Sequence, residues 1–156
     1  MKDNAALLIH TLTGRGLKIA AAESLTGGML AASLVGVPGA SKAFVEGIVA
    51  YAASAKEQTL GVSRAILDAH GTIAAETAEA MAAGAAALSG ADMAVSTTGN
   101  AGPDADEGKP VGLVYVSVLF GGSFLTKEYH LSGTRNEIRS QVVDLAIDQC
   151  LTVLCP

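Results

Sequence analysis

Apolar and polar positions change period several times along this chain of 156 residues, and each change predicts an element. Residues 3–13 carry apolar side chains at helical spacing, with Ala6, Leu7, Ile9 and Leu12 as the candidate buried face; Gly14 and Gly16 end the segment. "LKIAAA" (17–22) is a short apolar strand, and a helix is predicted from Thr26 to about Val35. "VPGAS" (37–41) is punctuated by Pro and Gly and reads as a loop. "AFVEGIVAY" (43–51) is a strand by its β-branched and aromatic content. Residues 54–60 and 63–70 form two short helices, with Ser63 as N-cap of the second and Gly71 as its stop. The Ala-rich stretch 74–89 is a helix whose small side chains let it lie close to a sheet. "DMAVSTT" (92–98) is a buried strand, and 99–110 is a long loop. "VGLVYVSVLF" (111–120) and "SFLTKEYHL" (123–131) form a hairpin through Gly121-Gly122, where positive φ costs little. The last helix begins near Thr134, which has capping-box spacing to Glu137, and Ile138, Val142, Leu145 and Ala146 give it an apolar face. Strands mixed with helices, plus one hairpin, predict an α/β domain with a mixed sheet covered by helices. No linker, repeat or shift of composition divides residues 1–156, so one domain is expected.

Composition narrows the function. Half of the residues are apolar and 16% are charged, which supplies a core and argues against a disordered chain. No apolar run reaches the roughly 18–20 residues that span a bilayer, and "MKDNAALLIH" is too polar for a signal peptide. A cytoplasmic protein without membrane contact is expected. The net charge is −5 and the cations are scattered singly, so nucleic acid gets no support as a partner. Cys150 and Cys155 lack CxxC spacing and His10, His70 and His130 lack ligand spacing; free thiols and no metal are expected.

Four clusters carry the candidate chemistry. "AAESLTGG" (21–28) sits at a strand-to-helix turn, where α/β sheets collect ligands. Ser24 is a candidate nucleophile or donor there. Gly27 and Gly28 let a ligand approach the backbone, and helix-start N–H groups favour an anion. The plain alternative is a capped helix, with Ser24 or Thr26 as the cap. In the second cluster, Ser41 lies in "PGAS", and Tyr51 and Lys56 flank a strand end and a helix start. Lys56 stands among Ala52, Ala53 and Ala55, and desolvation there lowers a lysine's pKa and makes it a base for a serine. The alternative is a surface lysine. The third cluster, "TTGNAGPD" (97–104), places Thr98 and Gly99 after a buried strand, either as a ligand loop or as a plain connection. The fourth, "SGTRNEIR", puts Arg135 at a helix start, where it suits a phosphate or simply faces solvent.

Taken in order, "ESLTGG", "VPGAS", "FVEGIVAY" with a lysine five residues on, "LGV", "TGNAGP", "KPVG" and "SGTRNEIR" closely resemble the CinA C-terminal domain family, from about Gly14 to the end. The resemblance implies a three-layer α/β/α fold and a homo-oligomer that needs no metal or cofactor. The family's enzymatic members are nicotinamide-nucleotide amidases, so it also implies hydrolysis of nicotinamide mononucleotide to nicotinic acid mononucleotide and ammonia. Carried over by motif, Ser41 becomes the nucleophile, with Lys56 as its base and Tyr51 assisting. Ser24 is the second candidate for nucleophile. Thr26, Gly27, Gly28, Thr98 and Gly99 would surround the reacting centre, and Arg135 would meet the phosphate.

The chain departs from the pattern in several places. Leu25 stands where enzymatic relatives commonly have Cys, and Ala52-Ala53 where they have Ser-Asn. Ala74 replaces a serine, Asn100 an isoleucine, and Ala105 and Asp106 two glycines. Such losses slow an enzyme or change its substrate. Two other readings therefore remain: an amidase for another amide, and a non-catalytic nucleotide-binding member with a regulatory or assembly role. The amidase reading predicts Ser41 Oγ within hydrogen-bond reach of Lys56 Nζ, directly or through one water; a lysine in solvent, far from both Ser41 and Ser24, would favour the non-catalytic member.

Overall fold

The computed structural model describes residues 2–155. In chain order the elements are α1 (Lys2–Gly14), β1 (Ile19–Glu23), α2 (Met29–Val35), β2 (Phe44–Val49), α3 (Ala53–Leu60), α4 (Arg64–His70), α5 (Ala75–Ser89), β3 (Met93–Gly99), β4 (Leu113–Phe120), β5 (Ser123–His130) and α6 (Arg135–Leu154). The five strands form one sheet in the order β2-β1-β3-β4-β5. β1 runs parallel to both β2 and β3, while β3–β4 and β4–β5 are antiparallel. Every residue of β1 is buried, as a central strand covered on both faces requires.

Alternation along β1 divides the core in two. Ile19 and Ala21 face α1, α2 and α6, while Ala20 and Ala22 face α3 and α5. The fold is therefore a three-layer α/β/α sandwich on a mixed sheet. The first side packs larger residues, among them Leu8, Leu30 and Ile138, and the second is built mainly from alanines and Met81. Small side chains bring α5 close to its neighbours, closest at Gly84. A methyl group there would collide with the Leu60 carbonyl at the end of α3.

Element by element the boundaries move by only a few residues, and each larger shift has a local cause. Leu7 is 55% exposed, and α1 buries Ala5, Leu8, Ile9 and Leu12 instead. The one-residue rotation follows from packing α1 against α6. α2 starts at Met29 rather than Thr26, because Gly27 and Gly28 hold positive φ values of 55° and 98° that no helix accepts. The "VPGAS" loop contains a short 3-10 turn at Ala40–Lys42. At α6 the Thr134–Glu137 capping box forms as read. Cys150 is buried, which pushes its thiol pKa up, and Cys155 is exposed; both are free. Among the described residues, no helix is long and apolar enough to cross a membrane.

Replacing Gly84 by Ala is expected to cost about 1–3 kcal/mol, the usual penalty for overfilling a packed contact. Urea denaturation of the two proteins measures it, and an unchanged midpoint would contradict the close approach of α5 to Leu60.

Candidate active site

Because β1 and β2 are parallel neighbours, the chain leaves both at the same edge of the sheet. Ser24 follows β1 directly, and its N–H donates to the Thr97 carbonyl of β3 at 3.0 Å. The residue before it fixes the turn. Glu23 is fully buried, and its carboxylate accepts the N–H groups of Leu30 at 2.9 Å and Ala31 at 3.0 Å. These are orphan donors at the start of α2, and a carboxylate is their natural acceptor. Glu23 thus occupies the place that the sequence assigned to a bound anion, and neither Ser24 nor Thr26 caps the helix. Thr26 turns inward, its hydroxyl 2.8 Å from that of Thr97. Arg139 of α6 grips the turn from outside, donating to the Leu25 carbonyl at 2.8 Å and the Thr26 carbonyl at 3.3 Å. Gly27 and Gly28 shape the turn but do not line the cavity beside Ser24.

Lys56 reaches the same point from the other side. It lies on α3, just after β2, and is 1% exposed. Its Nζ stands 2.9 Å from Ser24 Oγ, 2.9 Å from the Ala50 carbonyl oxygen and 2.9 Å from the Tyr51 carbonyl oxygen. Burial lowers its pKa from the ordinary lysine value to about 8, with the Glu107 carboxylate acting in the opposite direction. The geometry suits both protonation states. An ammonium donates to all three oxygens. A neutral amine donates to the two carbonyls, which can only accept, and keeps its lone pair for the one partner that can donate, the Ser24 hydroxyl.

A cavity of about 110 Å³ opens over this pair. Ser24, Leu25, Tyr51, Thr98, Gly99 and Arg135 are among the residues that line it. Thr98 Oγ1 donates to the Thr72 carbonyl at 2.6 Å, which ties β3 to the turn before α5. Arg135 donates to the Gly102 carbonyl at 2.6 Å and to the Tyr51 hydroxyl at 2.9 Å. Its guanidinium has five N–H donors, so some stay available to a ligand. Tyr51 meets Lys56 through its backbone carbonyl, and its ring is 59% exposed.

Ser41 is elsewhere. It precedes β2, whereas Lys56 follows it. At roughly 3.3 Å per residue, the six-residue strand puts on the order of 20 Å between them. Ser41 is exposed on a groove with Val35, Pro38 and Phe44. Within one chain the expected pairing of Ser41 with Lys56 does not occur, because a parallel strand separates its two ends by its full length. Ser24, the second candidate, stands at the lysine. Several residues around the site had no assigned role in the sequence: Glu23, Arg139, Thr72 and Glu107. Glu23 stood within the "ESLTGG" motif, and Arg139 left a signal by its place four residues after Arg135, on the same face of α6. Among the described residues, no group of three or more His, Cys, Asp or Glu side chains could hold a metal ion.

Fold and site together define an α/β/α domain with a buried serine–lysine pair at the carboxyl ends of two parallel strands. The chain belongs to the CinA C-terminal domain family, whose model matches residues 1–154. It is 42% identical over 151 residues to a CinA-like protein of Kosmotoga olearia, covering 96% of this chain and 37% of that protein. The chain spans about a third of the length of the first curated relatives it matches. A competence/damage inducible protein CihA of Agrobacterium tumefaciens has a solved structure with a TM-score of 0.94 at 36% identity, covering 99% of this chain and 95% of that one. A CinA superfamily protein of Enterobacter cloacae gives 0.96 at 29% identity, covering 98% and 91%.

The low pKa of Lys56 has a consequence for stability. Between about pH 8 and the ordinary lysine value the unfolded chain binds more protons than the native one, so stability rises with pH there. Below about pH 8 the full cost is present, on the order of a few kcal/mol. Denaturation at pH 7.5 and pH 10 should show a larger gain for the wild type than for Lys56→Met. Equal gains would mean that Lys56 is not desolvated.

Proposed function

We propose that this domain is an amidase that hydrolyses the carboxamide of nicotinamide mononucleotide, with Ser24 as nucleophile and Lys56 as its base. The observation that carries the reading is the buried 2.9 Å contact between Lys56 Nζ and Ser24 Oγ, at a lysine whose pKa is lowered to about 8. A general base must lie within this distance of the proton it takes, with a pKa near the working pH.

In this reading, neutral Lys56 takes the Ser24 proton as Oγ attacks the carboxamide carbon. Negative charge then develops on the carbonyl oxygen. The Leu25 N–H, which follows the nucleophile in the cavity wall and has no acceptor among the described residues, is the candidate backbone donor for it. Lys56 returns the proton to the leaving nitrogen and ammonia departs, leaving an ester on Ser24. Water, deprotonated by Lys56, then releases the acid. The cavity is smaller than the roughly 300–1,000 Å³ of pockets that enclose a whole ligand. It takes the carboxamide end, while the ribose and phosphate extend over the rim toward Arg135. The small cavity equally accommodates a smaller carboxamide, which is the second reading. A lysine in solvent, far from both serines, would have favoured the non-catalytic reading; Lys56 is instead buried against Ser24, which supports the amidase. A homo-oligomer remains part of the proposal, supported by the edge strand β2, which exposes Val45 and Val49.

Ammonia release from nicotinamide mononucleotide tests this directly. Ser24→Ala and Lys56→Ala should each lose at least about a thousandfold in kcat/KM, and Ser41→Ala should stay within about twofold. The wild-type kcat/KM should rise with pH through about 8 as Lys56 loses its proton. An inactive Ser41→Ala beside an active Ser24→Ala would overturn the assignment. No turnover of the mononucleotide, with turnover of another carboxamide, would move the substrate and keep the chemistry.

A further inference from the structure

The loop between β3 and β4 ends in a clamp that the proposed reaction does not use. Glu107 lies in that loop with φ at 51°, the one described residue other than glycine with positive φ. Its carboxylate accepts the Thr72 N–H at 3.0 Å, the Thr72 hydroxyl at 2.5 Å and the Ile73 N–H at 3.3 Å. Gly71, also left-handed, has no room for a side chain because the Glu107 carboxylate presses against it. Two residues on, Lys109 Nζ donates to the His70 and Ile73 carbonyls. The loop tip is thus fastened to the turn before α5 by both charges of a Glu–x–Lys pair. Thr72 and Ile73 are part of the cavity wall, and Thr98 hangs on the Thr72 carbonyl. On its outer side Glu107 shares a cleft with Ala53, Ser54 and Glu57 of α3, the helix that carries Lys56.

Resting on the Ser24–Lys56 reading, we infer that Glu107 is a positioning residue of this site. Its reach holds the Thr72–Ile73 wall in place, and its negative charge, set beside the residues of α3 that flank Lys56 in sequence, stabilises the buried Lys56 ammonium. Other charges around α3 are committed elsewhere or lie at the rim. Glu57 pairs with Arg64 at 2.8 Å, and the Glu23 carboxylate is held by α2. Arg135 and Asp106 line the cavity, Asp68 lines the outer cleft, and Lys109 lies beside Glu107 at 3.8 Å. Partial burial works against the Glu107 carboxylate, yet the hydrogen bonds from Thr72 and Ile73 and the charge of Lys109 hold its pKa below the ordinary range. It therefore stays an anion throughout the range in which Lys56 titrates.

Two substitutions separate reach from charge. Glu107→Gln keeps the chain length and one acceptor oxygen but removes the charge and the second acceptor; Glu107→Asp keeps the charge and both acceptors and shortens the reach. The direct readout is the titration of Lys56 in protein labelled with ¹³C at the lysine ε carbons, with the resonance assigned by Lys56→Met. No turnover is needed for this measurement. The Lys56 midpoint should fall in Glu107→Gln, since the cation loses a stabilising anion, and should stay near the wild-type value in Glu107→Asp. In parallel, kcat/KM for the mononucleotide should show its acid limb at lower pH in Glu107→Gln, whereas Glu107→Asp should raise KM with that limb unmoved. A Lys56 midpoint unchanged in Glu107→Gln would overturn the inference, even in an active enzyme. A shifted midpoint in a protein that hydrolyses no carboxamide would instead leave the inference standing and refute the amidase reading.

Discussion

Three oxygen atoms around one buried amino group hold this site together. Lys56 Nζ touches Ser24 Oγ and the carbonyls of Ala50 and Tyr51, each at 2.9 Å. A buried, unpaired ammonium is costly, and this one has no carboxylate in direct contact among the described residues. Its position is tolerated because the ends of β1 and β2 converge on it with oxygens already oriented by the sheet. The Ala50 N–H donates to the Glu23 carbonyl, so the same residue both continues the strand pairing through its N–H and receives the lysine through its carbonyl. Moving β1 relative to β2 by one residue would separate Ser24 from Lys56.

Around that contact, acidic and basic side chains spend their hydrogen bonds on the backbone more than on each other. Glu23 closes the start of α2, Arg139 holds the carbonyls of the Ser24 turn, and Glu107 holds the turn before α5. Each fixes a piece of irregular chain that carries a cavity residue. Precise catalytic geometry needs such supports, because loops alone place side chains too loosely. They also explain how the site can persist with alanines at positions 52, 53 and 74. Lys56 is held by main-chain carbonyls, which no substitution of a side chain removes, and the start of α5 is held from the neighbouring loop.

Much of the architecture was legible in the sequence, because the periods are clear where one face is buried. The apolar strand within "LKIAAA", the Gly121-Gly122 hairpin and the Thr134–Glu137 cap all follow from local rules, whereas the burial of Glu23 at the strand's end does not. The exposure of Leu7 did not, since α1 offers apolar residues on two adjacent faces and packing chooses between them. The site divided in the same way. "ESLTGG" and the lysine after β2 stood out as candidates by residue type, and it was the resemblance to a family, not composition, that joined them into a site. Which serine meets the lysine depends on strand direction, and a linear motif does not encode it: Ser41 and Lys56 flank β2, whereas Ser24 and Lys56 follow parallel neighbours. The Glu23, Arg139 and Glu107 contacts span 7 to 114 positions in sequence and left little local trace.

The central claim is that Ser24 is the nucleophile made reactive by Lys56. Treating the protein with a serine-directed fluorophosphonate and mapping the adduct by peptide mass spectrometry tests it without any assumption about the substrate. The account predicts one phosphonyl group on Ser24, formed faster as pH rises through about 8 and absent in Lys56→Met. An adduct on Ser41, or labelling of Ser24 that is indifferent to the loss of Lys56, would contradict it.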